Sequence, residues 1–500
     1  MNKLYYGDNL EVLRKDIKDD TIDLCYIDPP YNSKRNYNQI YNNIGGEDKA
    51  QAQAFIDTWV WDDYAIEGYN QILANHLGRF PMQTIHLING LEKVLGKSSL
   101  FAYLIHMTLR IAEIFRVLKP TGSFYLHCDP TASHYLKLIL DSVFCTQGGD
   151  YKNEIIWHYK KWSIEQPQFV KNHDIIFFYV KSDSKERVFN QLYMDRAAST
   201  LKRFGNAKIV SGHDEAGNRI PSQTSTEESA GVAMDDVWDI GRVPPVKQLF
   251  PTQKPEPLLA RIIEASSKPG DTILDVYCGC GTTIVEAERL RRNWVGVDIT
   301  YQSISLILKR LEALYTKSIL SEITLAGIPK DMQSAEALAH KRDDRVRKEF
   351  EKWAVLTYSN NKAFINEKKG GDGGIDGKAI MIDNDENGQQ IFRDVLFNVK
   401  SEKVITPQRV REFYGTITRE NAAMGYFISL YRPNDNIYHE CKKYGKYISK
   451  VFNTEYPVVE IITAEDILSG KRISIPTSQQ ISVLKDAKAK GDKNQMGLGF

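Results

Sequence analysis

The strongest constraint on the fold of this chain is a pattern of apolar runs and small residues between positions 270 and 300. It begins with a buried-strand pattern, "TILDVY", continues through a tight loop, "CGCGTT", and then shows the helical spacing of "TIVEAERLRR". A second strand, "NWVGVDI", follows and ends at Asp298. Strand, helix and strand in this order predict a βαβ unit, and therefore an α/β fold with a parallel sheet.

Two glycines and an acid in this unit predict a ligand site. Gly279 and Gly281 carry no Cβ, so the backbone of the loop can approach a ligand closely. Asp298, at the end of the second strand, is placed to accept hydrogen bonds from ribose hydroxyls. The loop does not read GxGxxG and no Walker-type lysine follows it, which argues against dinucleotides and triphosphates. The pattern favours a nucleoside ligand, and a structural turn with an incidental acid remains the alternative.

Another strand end lies near the start of the chain, in "IDLCYIDPPYN". The apolar run stops at Asp28 because Pro29 and Pro30 remove backbone donors and cannot continue a sheet. Asp28 is thereby delivered at the carboxyl end of a strand, where open α/β sheets bind their ligands. Taken alone, "DPPY" at 28–31 is better explained as a proline-rich turn, and only the rest of the chain decides the matter.

The length and composition set limits on the whole chain. Its 500 residues suffice for two or three domains. No apolar run approaches the roughly 20 residues that span a bilayer, so no membrane association is expected. The six cysteines show neither disulfide-framework nor zinc spacing, which favours a reducing cytoplasm. Because 65 Lys and Arg nearly balance 64 Asp and Glu, any nucleic-acid-binding surface must be local.

Several motifs together resemble one family. In chain order, "DPPY" at 28–31, "TQKP" at 252–255 and "LDVYCGCGTT" at 274–283 resemble the amino-methyltransferases of DNA, in the permuted group whose catalytic motif precedes the S-adenosylmethionine motif. "GDNLEVL", "VLKPTGSFYLHCDPTASHYLKLILDSVF" and "NEIIWHY" also look like members of this family. The resemblance implies a Rossmann-like methyltransferase domain over residues 1–330, with S-adenosylmethionine as cofactor and double-stranded DNA as substrate.

The resemblance assigns the catalytic role to Asp28, Pro29, Pro30 and Tyr31. The lone pair of adenine N6 is delocalised into the ring and is a poor nucleophile. Hydrogen bonds to the Asp28 carboxylate and the Pro29 carbonyl would aim it at the sulfonium methyl, so that catalysis is positioning plus electrostatics. Tyr31 would stack on a base that has been flipped out of the duplex. Asp in place of Ser at position 28 is similar to the adenine-N6 rather than the cytosine-N4 enzymes.

The same resemblance implies the cofactor contacts. Asp298 would hold the ribose, and Gly279 and Gly281 would lie under the methionine part. Asp8 would lie near the adenine of the cofactor, although an acid after a strand is equally well explained as a helix N-cap. The remaining expected cofactor residues lie beside the methionine end or in the glycine-loop motif: Thr252, Lys254, Asp275, Tyr277 and Thr282.

Residues 160–250 lie between the two motifs, where this family carries its target-recognition region. They mix strands, loops and Lys or Arg with aromatic residues. Basic side chains there would contact phosphates and guanine edges, and an ordinary solvated insertion is the alternative. No recognition sequence can be read from them, and a homodimer is left open.

The last third of the chain resembles a nuclease. A long, charged helix predicted over 327–359 includes a connector at 331–348, and a second domain is expected at 349–470 with a polar tail at 471–500. A strand starting at Asp376 is followed by a hairpin through "NDENG" and a strand that presents Asn398 and Lys400 on one face. This arrangement resembles the PD-(D/E)xK core of Mrr-like restriction endonucleases, and Glu351 on the preceding helix matches an acid often found there.

That second resemblance implies metal-assisted hydrolysis. Asp376, Asn398 and Glu351 would hold Mg²⁺ near a phosphate, and Lys400 would orient water and stabilise developing charge. The chain is thus expected to be an α/β methyltransferase with a second, smaller α/β restriction-endonuclease-like domain. Its expected function is adenine-N6 methylation of DNA within a restriction–modification system. Two alternatives stay open, namely a bifunctional methyltransferase and endonuclease, and a methyltransferase whose second domain only grips DNA.

Overall fold

The structure is a computed structural model, and it describes most of the chain. For residues 35–40 and 51–57 only the backbone is described. The described residues are 2–30, 35–40, 51–57, 59–160, 167–210, 212–213, 217–218, 223–244, 247–249, 253–315, 317–340, 344–360, 362–365, 374–385, 389–451 and 453–474.

Nine strands of the described residues form one large sheet. In order across the sheet they are β12 (Val237–Asp239), β6 (Asp150–His158), β7 (His173–Val180), β5 (Leu118–Cys128), β2 (Ile22–Ile27), β13 (Thr272–Asp275), β14 (Asn293–Asp298), β1 (Asn2–Tyr6) and β15 (Ile323–Ala326). From β5 to β15 every neighbouring pair is parallel, whereas β7 runs antiparallel to both β5 and β6. The carboxyl ends of β2, β13, β14 and β1 therefore meet along one edge.

Helices cover both faces of this sheet, as an α/β fold requires. One core cluster packs α1, α3, α4 and α5 on one face, and a second packs α7, α8 and α9 on the other. No helix among the described residues combines the length and apolar character needed to cross a membrane. The helices of this part are α1 (Asn9–Asp16), α2 (Asp63–Ala74), α3 (Met82–Leu95), α4 (Ser99–Val117), α5 (Ser133–Val143), α6 (Ala198–Phe204), α7 (Glu256–Ser266), α8 (Thr282–Arg289) and α9 (Tyr301–Tyr315), with 3₁₀ turns at Cys145–Gln147 and Lys317–Glu322.

Within the described residues, four two-stranded ribbons lie outside the nine-stranded sheet and the five-stranded sheet of the carboxy-terminal part. Two of them fall in the predicted target-recognition region, where β12 also joins the large sheet through β6. The ribbons pair β3 (Arg35–Ile40) with β4 (Gln51–Asp57), β8 (Tyr193–Met194) with β11 (Val232–Ala233), β9 (Ala207–Val210) with β10 (Gln223–Glu228), and β20 (Lys446–Ser449) with β21 (Thr454–Pro457).

A second sheet of five strands forms the carboxy-terminal part. Its strands, in order, are β16 (Phe364–Ile365), β17 (Gly377–Asn384), β18 (Gln390–Lys400), β19 (Met424–Ser429) and β22 (Val459–Thr463). The hairpin predicted through "NDENG" is the antiparallel β17–β18 pair, and β18, β19 and β22 run parallel. The accompanying helices are α12 (Pro407–Arg419), α13 (Asp435–Lys442) and α14 (Ala464–Leu468). The predicted fold class, a large α/β domain with a smaller one, is confirmed.

The prediction of one long helix before the second sheet was wrong. The segment contains α10 (Met332–Ala339) and α11 (Asp344–Tyr358). α10 begins with a capping box between Asp331 and Ser334, and it ends at His340, whose φ of −108° and ψ of 16° are not helical. α11 also contributes to the core, because Phe350 and Trp353 are buried in the same core cluster as residues of α9.

Candidate active site and cofactor pocket

The first component of the site is the acid that follows β2. Leu24, Cys25 and Ile27 are fully buried, as expected for a central strand covered on both faces. Pro29 and Pro30 end the strand, so Asp28 stands at the carboxyl edge of the sheet with 17% of its side chain exposed. Tyr31 lies outside the described residues. The predicted position of Asp28 at a strand end is confirmed.

Lys254 lies directly against this acid. Its ammonium forms a short ion pair with Asp28 Oδ2, and only 10% of the lysine side chain is exposed. A buried ion pair has one favourable geometry, so Lys254 fixes the orientation of the carboxylate and balances its charge. The family resemblance suggested a place for Lys254 at the methionine end of the cofactor, and the contact with Asp28 was not foreseen. Thr252 lies outside the described residues.

A buried histidine connects Asp28 to a second acid. His127, at the end of β5, is 0% exposed, and its Nδ1 lies 4.0 Å from Asp28 Oδ1. The same Nδ1 hydrogen-bonds the Tyr26 hydroxyl at 2.8 Å, while Nε2 lies 3.4 Å from Asp174 Oδ2. The Tyr159 hydroxyl donates to Asp174 at 3.1 Å, and the contact with His127 keeps the pKa of Asp174 below its usual value despite burial.

Sequence reasoning missed this network. "LHCDP" at 126–130 and "NHDII" at 172–176 each place a polar residue on an apolar strand, at or near its end, which was the available signal. The two strands are antiparallel neighbours, and only the sheet topology brings His127 and Asp174 together.

The glycine loop between β13 and α8 forms the second component. Gly279 and Gly281 adopt φ values of +48° and +74°, the left-handed region that favours glycine. A Cβ on Gly281 would lie 2.5 Å from Cγ1 of Ile307 on α9. At Gly281 the requirement for glycine therefore comes from backbone conformation and from packing against α9. The sequence pattern alone predicts a different reason for glycine here, the close approach of a ligand to the backbone.

Asp298 ends β14 as predicted, and backbone groups hold its carboxylate in place. Its Oδ2 accepts from Gly279 N at 2.9 Å, and its Oδ1 accepts from Thr300 N at 2.9 Å. Burial raises the pKa of Asp298 to about 6, although these hydrogen bonds oppose the rise. The glycine loop and Asp298 thus form one unit in the structure.

Asp275, the last residue of β13, is the most deeply buried acid of the edge. It is 3% exposed, and its Oδ1 accepts from Tyr277 N at 2.9 Å. Burial raises the pKa of Asp275 to about 7, and the nearby charges of Asp28 and Asp298 add to the rise. Three acids therefore share one electrostatic environment, in which a positively charged ligand would favour their ionised forms.

Asp8 is a helix cap in this structure. Its Oδ1 accepts from Leu10 N at 2.9 Å and from Glu11 N at 3.2 Å, at the start of α1. Its Oδ2 lies 3.1 Å from a guanidinium nitrogen of Arg110. The N-cap interpretation is confirmed, and the second role near the cofactor remains a prediction.

Tyr277 and Thr282 complete the predicted loop residues. The Tyr277 hydroxyl lies 2.9 Å from Nε2 of His106, whose ring centroid is 4.3 Å from that of Trp59. Burial lowers the pKa of His106 well below its usual value, so this imidazole is neutral at pH 7. Thr282 is the first residue of α8 and is 5% exposed. The rings of Tyr277, His106 and Trp59 thus form an aromatic cluster beside the loop.

The carboxy-terminal sheet brings two of its predicted residues together. Asp376 N donates to Phe397 O at 2.8 Å, and Asp376 Oδ2 accepts from Val399 N at 2.6 Å. Asn398 is 3% exposed and its amide nitrogen donates to Gly374 O at 2.6 Å. The acid on one strand and the polar residue on the next are therefore neighbours, as the sequence pattern predicted.

The other two residues predicted for this site, Lys400 and Glu351, are placed by the strand β18 and the helix α11. Lys400 ends β18 in register with Ser429, and it shares the face of the strand with Asn398. Glu351 lies on α11 and is partly exposed. Within the described ranges, no group of three or more His, Cys, Asp or Glu side chains is arranged to hold a metal ion.

Comparison with known proteins adds the family context. Residues 22–309 match the family model described as DNA methylase, and residues 346–453 match the one described as restriction endonuclease. The DNA adenine methyltransferase YhdJ of Escherichia coli (strain K12) is 26% identical over 313 residues, which are 62% of this chain and 82% of that protein. The type II methyltransferase M.HpaI of Haemophilus parainfluenzae is 26% identical over 269 residues, 52% of this chain and 74% of that protein. The solved complex of M1.HpyAVI with SAM aligns at a TM-score of 0.34 and 16% identity, over 62% of this chain and 100% of that chain.

These matches confirm both resemblances that the sequence motifs predicted. The first match spans more than half of the chain and contains Asp28, the glycine loop and Asp298. The second contains Glu351, Asp376 and the β17–β18 hairpin. The permuted order and the domain boundaries are not tested by these comparisons and stay predictions.

Proposed function

Because this chain belongs to the DNA methylase family, we propose that it transfers a methyl group from S-adenosylmethionine to the N6 amino group of adenine in double-stranded DNA. The observation that carries the proposal is the place of Asp28, at the same sheet edge as the glycine loop and Asp298. Asp at this position favours adenine, and so does the name of the relative YhdJ, a DNA adenine methyltransferase. M.HpaI is named a type II methyltransferase, which supports a place in a restriction–modification system.

The proposed chemistry uses the chain's own residues for positioning. Asp28 and the carbonyl of Pro29 accept hydrogen bonds from the two hydrogens of the amino group, which directs the nitrogen lone pair away from the ring plane. The ion pair with Lys254 restrains the Asp28 carboxylate, so little rearrangement is needed during the reaction. The cofactor supplies an electrophilic methyl group on a cationic sulfur.

The pocket fits that cofactor on electrostatic grounds. Burial raises the pKa of Asp275 and Asp298, and a positively charged ligand beside them would favour their ionised forms. Asp298 would hold the ribose hydroxyls, and Gly279 and Gly281 would border the methionine part. Asp275, Tyr277 and Thr282 would line the same loop, while Asp8 would lie near the adenine.

A second function, Mg²⁺-dependent cleavage of DNA, is favoured by one observation, the match of residues 346–453 to restriction endonucleases. Asp376 and Asn398 would provide oxygen ligands, with Glu351 as a third and Lys400 as the water-orienting cation. The donor set fits the metal only in part. The amide nitrogen of Asn398 donates to Gly374 O, and the carboxylate next to Asn398 is that of Asp376. A domain that grips DNA without cutting it is the alternative outcome.

The experiment that tests the proposal identifies the product. Purified protein is incubated with plasmid and isotopically labelled S-adenosylmethionine, and the digested nucleosides are analysed by mass spectrometry. We expect labelled N6-methyladenine and no labelled N4-methylcytosine. Label only in cytosine would contradict the adenine assignment, and no label in any nucleoside would contradict the transfer itself. Parallel reactions with Mg²⁺ or EDTA report plasmid cleavage. Homodimer formation and a cytoplasmic location stay predictions.

A further inference from the structure

A buried glutamate of the carboxy-terminal region contacts two residues that lie close in sequence to the proposed cofactor ligands. Glu349, on α11, is 7% exposed. Its Oε2 accepts a hydrogen bond from the Tyr6 hydroxyl at 3.0 Å and another from Tyr301 N at 3.3 Å. Its Oε1 forms an ion pair with Lys352 at 2.7 Å. One buried side chain from the second domain therefore joins two elements of the first.

The two residues that Glu349 joins are adjacent to the proposed cofactor ligands. Tyr6 is the last residue of β1, two positions before Asp8. Tyr301 is the first residue of α9, three positions after Asp298. The two strand ends are also tied to each other, because Gly7 N donates to Asp298 O at 3.0 Å. Glu349 thus forms hydrogen bonds with residues of both backbone segments that carry the proposed cofactor ligands Asp8 and Asp298.

A second residue of α11, Thr357, also contacts Tyr301. Thr357 Oγ1 donates to the Tyr301 hydroxyl at 3.0 Å, and the rings of Tyr6 and Tyr301 meet edge to face at 6.0 Å. Between Tyr301 and the carboxylate of Asp298 lies Thr300, whose amide and hydroxyl both donate to Asp298 Oδ1. A continuous set of short contacts therefore runs from α11 to the carboxylate proposed to hold the ribose.

Burial makes these contacts hard to exchange with water. Phe350 and Trp353 of α11 are each 1% exposed and belong to the same core cluster as Ile304 and Ile307 of α9. Removing the Glu349 carboxylate would leave a buried hydroxyl and a backbone amide without their acceptor, which is costly in such a place. Burial, and secondarily the charge of Glu349, raise the pKa of the Tyr6 phenol well above its usual value, so this phenol remains a donor.

We propose that Glu349 is a positioning residue for S-adenosylmethionine, and that through it cofactor binding and the packing of the restriction-endonuclease-like domain on the methyltransferase domain are coupled. The inference rests on the proposed function, because it takes Asp298 and Asp8 as cofactor ligands. Coupling between two binding equilibria is reciprocal. The cofactor should therefore hold α11 more firmly in place, just as α11 holds the pocket.

The chain offers a control glutamate that is equally buried and lies on a different helix. Glu440, on α13, is also 7% exposed and also forms an ion pair at 2.7 Å with a lysine three residues later, Lys443. Its other described partners, Arg411 and Tyr444, belong to the second domain. Glu349→Ala and Glu440→Ala thus both remove a buried carboxylate that pairs with a lysine three residues later, although Lys352 is 15% exposed and Lys443 is 68% exposed. Only Glu349 contacts β1 and α9.

The first experiment measures S-adenosylmethionine binding by calorimetry and methylation kinetics with the full chain. We expect Glu349→Ala to raise Kd and KM for the cofactor on the order of tenfold while kcat at saturation changes little. Glu349→Gln should restore most of the affinity, because its amide oxygen can accept from both donors. Glu440→Ala should bind like the wild type. Equal weakening in both alanine variants would indicate general loss of stability and overturn the proposal, as would unchanged affinity in Glu349→Ala.

The second experiment does not depend on a variant that might misfold. Hydrogen exchange in wild-type α11 is compared with and without S-adenosylmethionine, with α13 as the internal reference. Slower exchange in α11 and no change in α13 are expected, and equal exchange in α11 would overturn the coupling. If the wild type does not bind S-adenosylmethionine, the proposed function fails and the inference falls with it. If the wild type binds and Glu349→Ala binds equally well, the inference alone fails.

Discussion

The two candidate centres each place an acid where a strand begins or ends, but the surroundings of those acids differ. Asp28 follows the central strand of a nine-stranded sheet and is met by Lys254 from another segment and by His127 from the next strand. Asp376 precedes a strand of the smaller sheet and forms hydrogen bonds with backbone groups of β18. The first carboxylate is charge-balanced, which suits a site that binds a neutral base. The second carboxylate accepts from the amide of Val399 on the neighbouring strand, so the two centres hold their acids by different means, an ion pair in one and a backbone hydrogen bond in the other.

The largest expected effect contrasts two aspartates of one strand. Asp23 and Asp28 both lie at ends of β2, their side chains are 15% and 17% exposed, and each is paired with a lysine. Asp28→Ala should lower methylation about 10³-fold, the order seen when a preorganised hydrogen-bonding group is removed, and should leave cofactor binding intact. Asp23→Ala should retain methylation. Single-turnover rates and calorimetry of both variants decide it, and an active Asp28→Ala would remove this residue from the mechanism.

The fold and half of the site were accessible from the sequence because their signals are local. The βαβ unit around Gly279, the strand end at Asp28 and the β17–β18 hairpin each lie within a short window of periodic residues. The missed contacts join distant positions: Lys254 is 226 residues from Asp28, and Glu349 is 343 residues from Tyr6. Such pairs depend on sheet order and domain packing, which no local pattern encodes.

Local patterns also gave an incomplete account in two instances. The charged stretch before the second sheet has a helical pattern throughout. Its composition therefore does not indicate that the helix ends at His340. A glycine is expected wherever a ligand approaches, but Gly281 is constrained by Ile307 from a helix that follows later in the chain. At Gly281 the contact with Ile307 comes from outside the local sequence pattern.

The next effect tests what Lys254 does. Lys254→Met removes the cation from Asp28 and should lower kcat about 10- to 100-fold by freeing the carboxylate to reorient. Lys119→Met, which removes the partner of Asp23, serves as the control. Steady-state kinetics separate the two roles of Lys254: a fall in kcat supports its role with Asp28, whereas a rise in KM for the cofactor alone would support the methionine-end position implied by the family.

A smaller effect concerns pH. The pKa values of Asp298 and Asp275 are raised to about 6 and about 7, so both acids gain protons as pH falls through this range. Cofactor affinity should therefore decrease several-fold between pH 8 and pH 5.5, because a protonated acid holds a cationic ligand less well. Stability without ligand should change in the opposite direction, since raised pKa values mean that the folded state binds more protons than the unfolded state. Calorimetry and thermal unfolding across this range measure both, and affinity that is independent of pH would contradict the assignment.

The smallest effect would make the second centre more like a metal site. Asn398→Glu replaces a neutral amide, 3% exposed and bonded to Gly374, with a carboxylate beside Asp376. Without metal, a buried carboxylate at position 398 beside the partly exposed Asp376 should lower Tm by a few degrees, on the order of 4 °C per kcal/mol lost. Mg²⁺ should restore part of that loss, because it prefers carboxylate oxygens. Asn398→Gln has the same length and no charge, so it should show no such rescue. Thermal unfolding in EDTA and in Mg²⁺ compares the three proteins, and an absence of Mg²⁺ rescue in Asn398→Glu would mean that Asp376 does not face a metal position and that the second centre only grips DNA.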